Sequence, residues 1–168
     1  MRSLHEAAAR EYAAVAGAGT YVAWRVERRS AEMLASWAKG LGVYDVVDPE
    51  EMHCTVMYSP TASAWDESLY GETKLEPPWR VSPYVPRSLD RFGKDDARNC
   101  LVVKFSCLPI EREHRWWAQN GLIHAHPEFC PHVTVSYAAE DFPEELLKFP
   151  PHTPIDFDRR TVEDCKSD

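Results

Sequence analysis

Two strings constrain this chain more than anything else in it: His53-Cys54-Thr55-Val56-Met57-Tyr58-Ser59 and His132-Val133-Thr134-Val135-Ser136-Tyr137. Each reads His-x-Thr-apolar. Each is rich in β-branched and aromatic residues and follows an acidic or Pro-containing turn, so each is expected to be a buried strand. Side chains alternate along a strand. His53 and Thr55 therefore share one face while Cys54 and Val56 take the other, and His132 and Thr134 do likewise. A fold that brings the strands together presents two imidazoles and two hydroxyls to one space. That set suits a phosphodiester: one imidazole takes a proton, the other gives one, and the hydroxyls hold the non-bridging oxygens. A lone His-x-Thr is more often a satisfied core histidine. Two with matching apolar neighbours are a coincidence of less than about one in a hundred, and they point to a shared catalytic site.

The rest of the chain is arranged around these strings. Residues 4–16 are Ala-rich with helical spacing and end at Gly17-Ala18-Gly19. Thr20–Val26 reads as a strand. Ser30 is the expected N-cap of a helix from Ala31 to Lys39, ended by Gly40 and Gly42. From residue 60 to 83 periodicity is lost, and a stretch of this length holding Trp65, Tyr70 and Trp79 is expected to be a lid or binding loop. Tyr84–Phe92 and Asn99–Phe105 read as strands joined by a polar turn. Pro109 to Asn120 reads as a helix closed by Gly121. A short helix is expected over Asp141–Phe149 and a last strand from Ile155. Each half thus holds a helix followed by a His-x-Thr strand. This pattern predicts one α+β domain: two curved antiparallel sheets related by a pseudo-two-fold, helices outside, and the catalytic cleft between the sheets.

At 168 residues the chain is the length of one domain and long enough to bury a core. No apolar run approaches a membrane span, and the N-terminal residues lack the apolar stretch of a secretory signal. The 5 Cys show no zinc-type spacing and are expected to be reduced thiols in a cytosol. The formal net charge of −8 argues against a protein that grips long RNA or DNA, which normally shows a basic face. Arg25, Arg28 and Arg29 read as a solvated helix start. A small substrate with few phosphates fits better.

A metal is the rival use of two histidines. It needs a third ligand at fixed spacing. His124 and His126 precede the second motif and are candidates, but a surface loop pair is the simpler reading, and Thr in place of Asp or Glu beside each motif histidine weighs against metal. Trp24 is expected on the strand face opposite Tyr21, Trp116 and Trp117 in helix packing. Tyr137 should lie opposite His132 if its strand is regular, and Ser136 on the catalytic face.

The paired His-x-Thr-apolar motif resembles the signature of the two-histidine (2H) phosphoesterase superfamily. The strings GTYVAWRV, MHCTVMYS, CLVVKF and EFCPHVTVSY resemble the corresponding segments of the phage anti-CBASS protein 1 group, compact 2H enzymes that degrade the cyclic oligonucleotide messengers of bacterial anti-phage defence. The resemblance runs from Gly19 to Phe157. It implies a LigT-like domain over residues 19–168, preceded by a helical extension over residues 1–18. It also implies metal-independent, cofactor-free cleavage of a 3′–5′ phosphodiester in a cyclic di- or trinucleotide. By analogy with RNA-cleaving relatives, His53 is the base and His132 the acid, with Thr55 and Thr134 on the phosphate. Tyr21 matches the Tyr of the first string and is a base-stacking candidate, a core aromatic being the alternative. Trp79 and Glu163 complete the expected substrate-binding set. The implied partner is a small cyclic oligonucleotide, with no membrane and no obligate protein partner, in the host cytosol if phage-encoded. Two other functions are compatible with the motif. A 2H enzyme acting on RNA 2′,3′-cyclic phosphate ends is disfavoured by the acidic charge. A non-catalytic nucleotide sponge has no need of paired acid and base groups.

Overall fold

The computed structural model describes residues 19–61, 79–93, 100–126 and 128–165. The expected N-terminal helix and the loop residues Trp65 and Tyr70 lie outside the described residues. Among the described residues, seven strands form two sheets. In order along the chain come β1 (Thr20–Val26), α1 (Arg28–Gly40), β2 (His53–Ser59), β3 (Trp79–Val81), β4 (Arg87–Phe92), β5 (Cys100–Phe105), α2 (Leu108–Gln119), β6 (His132–Ser136) and β7 (Ile155–Asp164). A single 3₁₀ turn, Glu144–Lys148, stands where a short helix was expected. The first sheet has the order β2-β1-β7-β3 and the second β4-β5-β6, all neighbours antiparallel. The α+β architecture of two sheets with a cleft is as predicted.

Three boundaries differ from the sequence reading. Helix α1 starts earlier, because the Glu27 carboxylate, not Ser30, caps it by accepting the Ser30 N–H at 3.1 Å. Ser30 is buried instead, its hydroxyl accepting the Asp156 N–H at 3.0 Å and so fixing the helix to β7. The expected lid is interrupted by β3, which pairs with β7 through Trp79↔Phe157 and Val81↔Ile155. The last strand runs on to Asp164 and carries Glu163 into the first sheet opposite Tyr21.

Both motif strands are edge strands, β2 of one sheet and β6 of the other, and they run close beside each other. Their inward residues Cys54, Val56, Val133 and Val135 are buried with Val22, Trp24, Phe157 and the apolar stripes of the helices. Helix α1 packs on β6 and β7, and α2 on β2. Gly19 leads into β1 pressed against the Ser59 carbonyl and the Pro60 backbone, where any Cβ would collide.

Among the described residues, a buried ion pair lies in this core. Glu113, on the buried stripe of α2 with Ile110 and Trp117, is fully buried. Its carboxylate accepts two hydrogen bonds from the Arg160 guanidinium of β7 at 2.6 and 2.8 Å, one from Trp24 Nε1 of β1 at 2.8 Å, and one from Trp117 Nε1 at 3.2 Å. Arg160 also lies over the Trp24 ring at 5.0 Å. Trp24 is therefore a core residue, as its strand position implied, and Trp117 is packed as expected. Removing one partner of a buried, hydrogen-bonded pair leaves an uncompensated charge, at a cost of about 3–5 kcal/mol. Glu113→Ala and Arg160→Ala are each expected to lower stability by about that much in urea unfolding, with Glu113→Leu/Arg160→Met recovering most of it. A loss below ~1 kcal/mol in either single variant would show that water reaches the pair.

Candidate active site

Each histidine is set by the same contact. His53 Nδ1 lies 2.7 Å from the Glu51 carbonyl, and His132 Nδ1 lies 2.7 Å from the Cys130 carbonyl, in both cases the residue two earlier. A carbonyl only accepts, so Nδ1 carries the proton and Nε2 is the free basic nitrogen on both rings. An aromatic edge supports each imidazole: Tyr21 at 6.0 Å from His53 and Phe92 at 4.8 Å from His132, both T-shaped. Burial lowers both pKa values below the usual histidine range, chiefly by desolvation; the two Nδ1–carbonyl bonds oppose this. His132 also feels the charge of His53, and the strands that carry the two rings lie close beside each other.

The threonines follow on the same faces, half-buried like the histidines, with the Tyr21 hydroxyl 2.9 Å from Thr55 Oγ1. Across the ladder from each histidine stands a cation: Arg25 opposite His53, Lys104 opposite His132. Arg25 lies 3.8 Å from Glu163 and Lys104 pairs with Asp90 at 3.1 Å. Neither cation was picked out from the sequence as a site residue, nor was Phe92. The signal for Phe92 lay only in strand pairing, which no local pattern reveals.

Both motif strands carry a β-bulge immediately after the threonine. The register passes from Ala23↔Thr55 to Val22↔Met57, and from Val102↔Thr134 to Leu101↔Ser136, leaving Val56 and Val135 as the extra residues. The freed carbonyls are both caught: His114 Nδ1 of α2 donates to Val56 O at 2.7 Å, and the Val47 N–H to Val135 O at 2.9 Å. The bulge reverses the alternation beyond it. Met57 and Ser136 turn into the core, fully buried, and Tyr58 and Tyr137 turn outward. Two expectations are corrected by this. Ser136 does not share the catalytic face; its hydroxyl donates to the Tyr44 carbonyl at 2.8 Å. Tyr137 does not lie on the buried face; it is exposed.

The structure brings Tyr21, Glu163, His53 and Thr55 together on one sheet and His132 and Thr134 on the facing edge. It does not bring Trp79. Trp79 shares the core side of β3 with buried Val81, and its ring meets Trp24 edge-on at 6.3 Å, on the far side of the sheet from Tyr21. That expectation is corrected, since pairing with Phe157 orients β3 as part of the core wall.

His124 and His126 lie on a loop, as expected, His126 exposed and His124 half-buried. The Tyr58 N–H donates to His124 Nδ1 at 3.0 Å, and the Ala125 N–H donates to the Tyr58 carbonyl at 2.8 Å, so residues 124–125 cover the open edge of β2. His114 stacks on Phe129 at 3.9 Å and meets His124 edge-on at 5.0 Å. Among the described residues, no three His, Cys, Asp or Glu side chains converge in a metal-binding group. No helix among them is long and apolar enough to cross a membrane.

Two curled sheets with a His-x-Thr strand at each facing edge have the fold and the paired motif of the two-histidine phosphoesterases. The chain belongs to the anti-CBASS protein Acb1 family, whose model matches residues 18–168. It is 27% identical over 121 residues to the anti-CBASS protein Acb1 of Vibrio phage KVP40, covering 71% of this chain and 72% of that protein. It is 28% identical over 131 residues to the anti-CBASS protein Acb1 of Sphingomonas paeninsulae, covering 73% of this chain but only 19% of that longer protein. Among solved structures, a phosphoesterase superposes with a TM-score of 0.57 at 13% identity, covering 86% of each chain. E. coli LigT complexed with ATP superposes at 0.54 and 13% identity, covering 86% of this chain and 85% of that one. These likenesses show the fold.

The edge cover on β2 makes stability pH-dependent. His124 must keep Nδ1 unprotonated to accept the Tyr58 N–H, and burial, aided by repulsion from His114, His126 and His132, lowers its pKa to about 4. The folded value lies below the unfolded value of about 6.5. Its contribution is therefore complete above pH ~6.5 and is lost as pH falls toward about 4. His124→Asn, which retains an acceptor but does not titrate, is expected to lose less unfolding free energy than wild type between those pH values. Parallel curves for the two proteins would contradict this.

Proposed function

We propose that this protein is a metal-independent phosphodiesterase that cleaves the 3′–5′ bonds of cyclic di- or trinucleotide immune messengers, a phage counter-defence against CBASS acting in the host cytosol. The observation that supports this reading is the pair of Nδ1-anchored imidazoles on neighbouring edge strands, inside a family of anti-CBASS proteins. Burial keeps His53 neutral at neutral pH, the form a general base needs. In the proposed step His53 Nε2 removes the proton of a ribose 2′-hydroxyl. The 2′-oxygen then attacks the adjacent phosphorus, and the bond from phosphorus to the 5′-oxygen breaks. His132, protonated in the bound complex as the phosphate anion stabilises its imidazolium, gives its proton to that leaving oxygen. Thr55 and Thr134 donate to the non-bridging oxygens, where charge builds. Arg25 and Lys104 offset the charge of the phosphate. Tyr21 and Glu163, across the ladder from each other, bind the nucleoside beside His53. The products are a linear oligonucleotide with a 2′,3′-cyclic phosphate end and a free 5′-hydroxyl; water then opens the cyclic phosphate.

The direct test is to incubate the protein with a panel of cyclic di- and trinucleotides in EDTA and separate the products. Wild type is expected to remain fully active after chelation, while His53→Ala and His132→Ala lose about 10²–10⁴-fold and keep the fold. Activity that disappears in EDTA and returns with zinc would refute the metal-free reading, and wild-type rates in either histidine variant would refute the site. A cyclic dinucleotide lacking every 2′-hydroxyl is expected to bind and remain uncut, because the attacking group is held next to its phosphorus rather than recruited from solvent. Efficient cleavage of that substrate would make water the nucleophile.

A further inference from the structure

The sheet that carries His53 holds a further cation on the same face, and the chemistry at the scissile phosphate does not use it. We infer that Arg159 of β7, beside its ladder partner Arg25, binds a second, non-scissile phosphate of the substrate. That phosphate is the one on the 5′-oxygen of the ribose whose 2′-hydroxyl faces His53. This rests on the cyclic-nucleotide reading and deepens it, since only a substrate with at least two phosphates has such a group.

A bulge in β7 sets the placement of Arg159. The ladder between β1 and β7 runs Tyr21↔Glu163, Ala23↔Thr161 and Arg25↔Arg159, then steps to Val26↔Phe157, so Asp158 is the extra residue. Phe157 is fully buried, and Arg160 reaches the buried Glu113. In a regular strand Arg159 would follow Phe157 onto the core face. The extra residue turns it over, onto the face of Arg25 and Glu163, where it is exposed. Arg25 is in turn the ladder partner of His53. The row across the sheet therefore reads His53, Arg25, Arg159. At about 4.8 Å per strand the last Cα lies about 10 Å from the first.

Two guanidiniums directly opposite each other repel, which costs the sheet stability. Among the described residues the pair is answered by one carboxylate, Glu163, 3.8 Å from Arg25. No ion pair among them reaches Arg159, and the nearby Asp156 is engaged by Arg80 through both of its oxygens. The matching row of the other sheet reads His132, Lys104, Ser88. There the cation is paired with Asp90 at 3.1 Å, and the next strand offers a hydroxyl. The excess positive charge lies on the His53 side, in a chain of formal net charge −8.

The direction of the proposed reaction agrees with this asymmetry. The ribose that attacks is the one at His53. In a cyclic dinucleotide it carries the scissile phosphate on its 3′-oxygen and the other phosphate on its 5′-oxygen. Tyr21 and Glu163 lie toward one end of the β1–β7 ladder and Arg25 and Arg159 toward the other. Base and 5′-phosphate take the two ends, with the ribose between them. A guanidinium suits the second position because its paired N–H groups match two phosphate oxygens.

The experiment measures kcat and KM of wild type, Arg159→Gln and Arg159→Lys on three substrates of one base sequence. These are a cyclic dinucleotide, a linear dinucleoside monophosphate, and that linear compound bearing a 5′-phosphate. Arg159→Gln is expected to raise KM about 5- to 100-fold for the two substrates with a second phosphate, as for loss of one charge-assisted hydrogen bond, while kcat changes far less. The ratio of kcat/KM with the second phosphate to that without it falls by the same factor. Lys, which keeps the charge and lacks the fork, restores part of it. Added salt shrinks the wild-type gain from the 5′-phosphate. The urea midpoint of Arg159→Gln is expected to hold or rise, because the substitution relieves the repulsion from Arg25. An equal effect on all three substrates, as from a structural role, overturns the proposal, and so does no effect on any. A wild-type protein that cuts the linear compounds but not the cyclic one overturns the cyclic-messenger reading, while the two linear compounds still decide on Arg159. Failure of wild type on all three overturns both.

Discussion

The buried Glu113 carboxylate ties together parts of the chain that would otherwise meet only through apolar contact. Its four hydrogen bonds come from α2 itself, from β1 and from β7. Those two strands are the centre of the first sheet, and α2 is the helix that delivers His114 to the bulge of β2. The chain leaving α2 then supplies His124 and Ala125 to the edge of that strand before turning into β6. The relative placement of the two motif strands is thus set from one side by a charge that cannot move without leaving its partners unpaired. Apolar packing alone is tolerant of small slides between helix and sheet; a carboxylate gripped by a guanidinium and two indoles is directional.

What could be read in advance depended on the range of each interaction. The two motif strands, the two long helices and the outline of two sheets were legible because alternation and helical spacing are local signals. The four motif side chains were legible because the pattern occurs twice. Phe92, Arg25 and Lys104 were not, since their place beside the histidines depends on which strands pair and in what register. Ser136 and Tyr137 were misplaced for one reason: a single extra residue in β6 inverts every face assignment after it, and nothing in the string His132–Tyr137 marks the bulge. Trp79 was misplaced because an aromatic in an irregular stretch looks like a lid until pairing with β7 makes it part of the core wall. Glu113 had a visible trace, a carboxylate on an otherwise apolar helical stripe, but its partners lie far away in sequence.

The two halves of the molecule reach the same local geometry by different means. One bulge is satisfied by a helix side chain and the other by a loop backbone N–H. One histidine is flanked by a tyrosine on its sheet, the other by a phenylalanine. What is repeated is the geometry of the motif itself: ring anchoring, hydroxyl face and bulge. The surroundings differ.

In the proposed mechanism, the identical anchoring of the two imidazoles governs the state of the centre after a single bond cleavage. When one ring has taken a proton and the other has given one, the pair has exchanged states, yet neither ring has to turn over, because each proton moved on and off Nε2 while Nδ1 stayed bound to its carbonyl. The exchanged pair is already arranged for the reverse proton movements, those needed to add water to a cyclic phosphate. Such a centre has no preferred direction of its own. On that mechanism it would reset by doing the second half of the chemistry, with the order of events imposed by which molecule occupies the cleft.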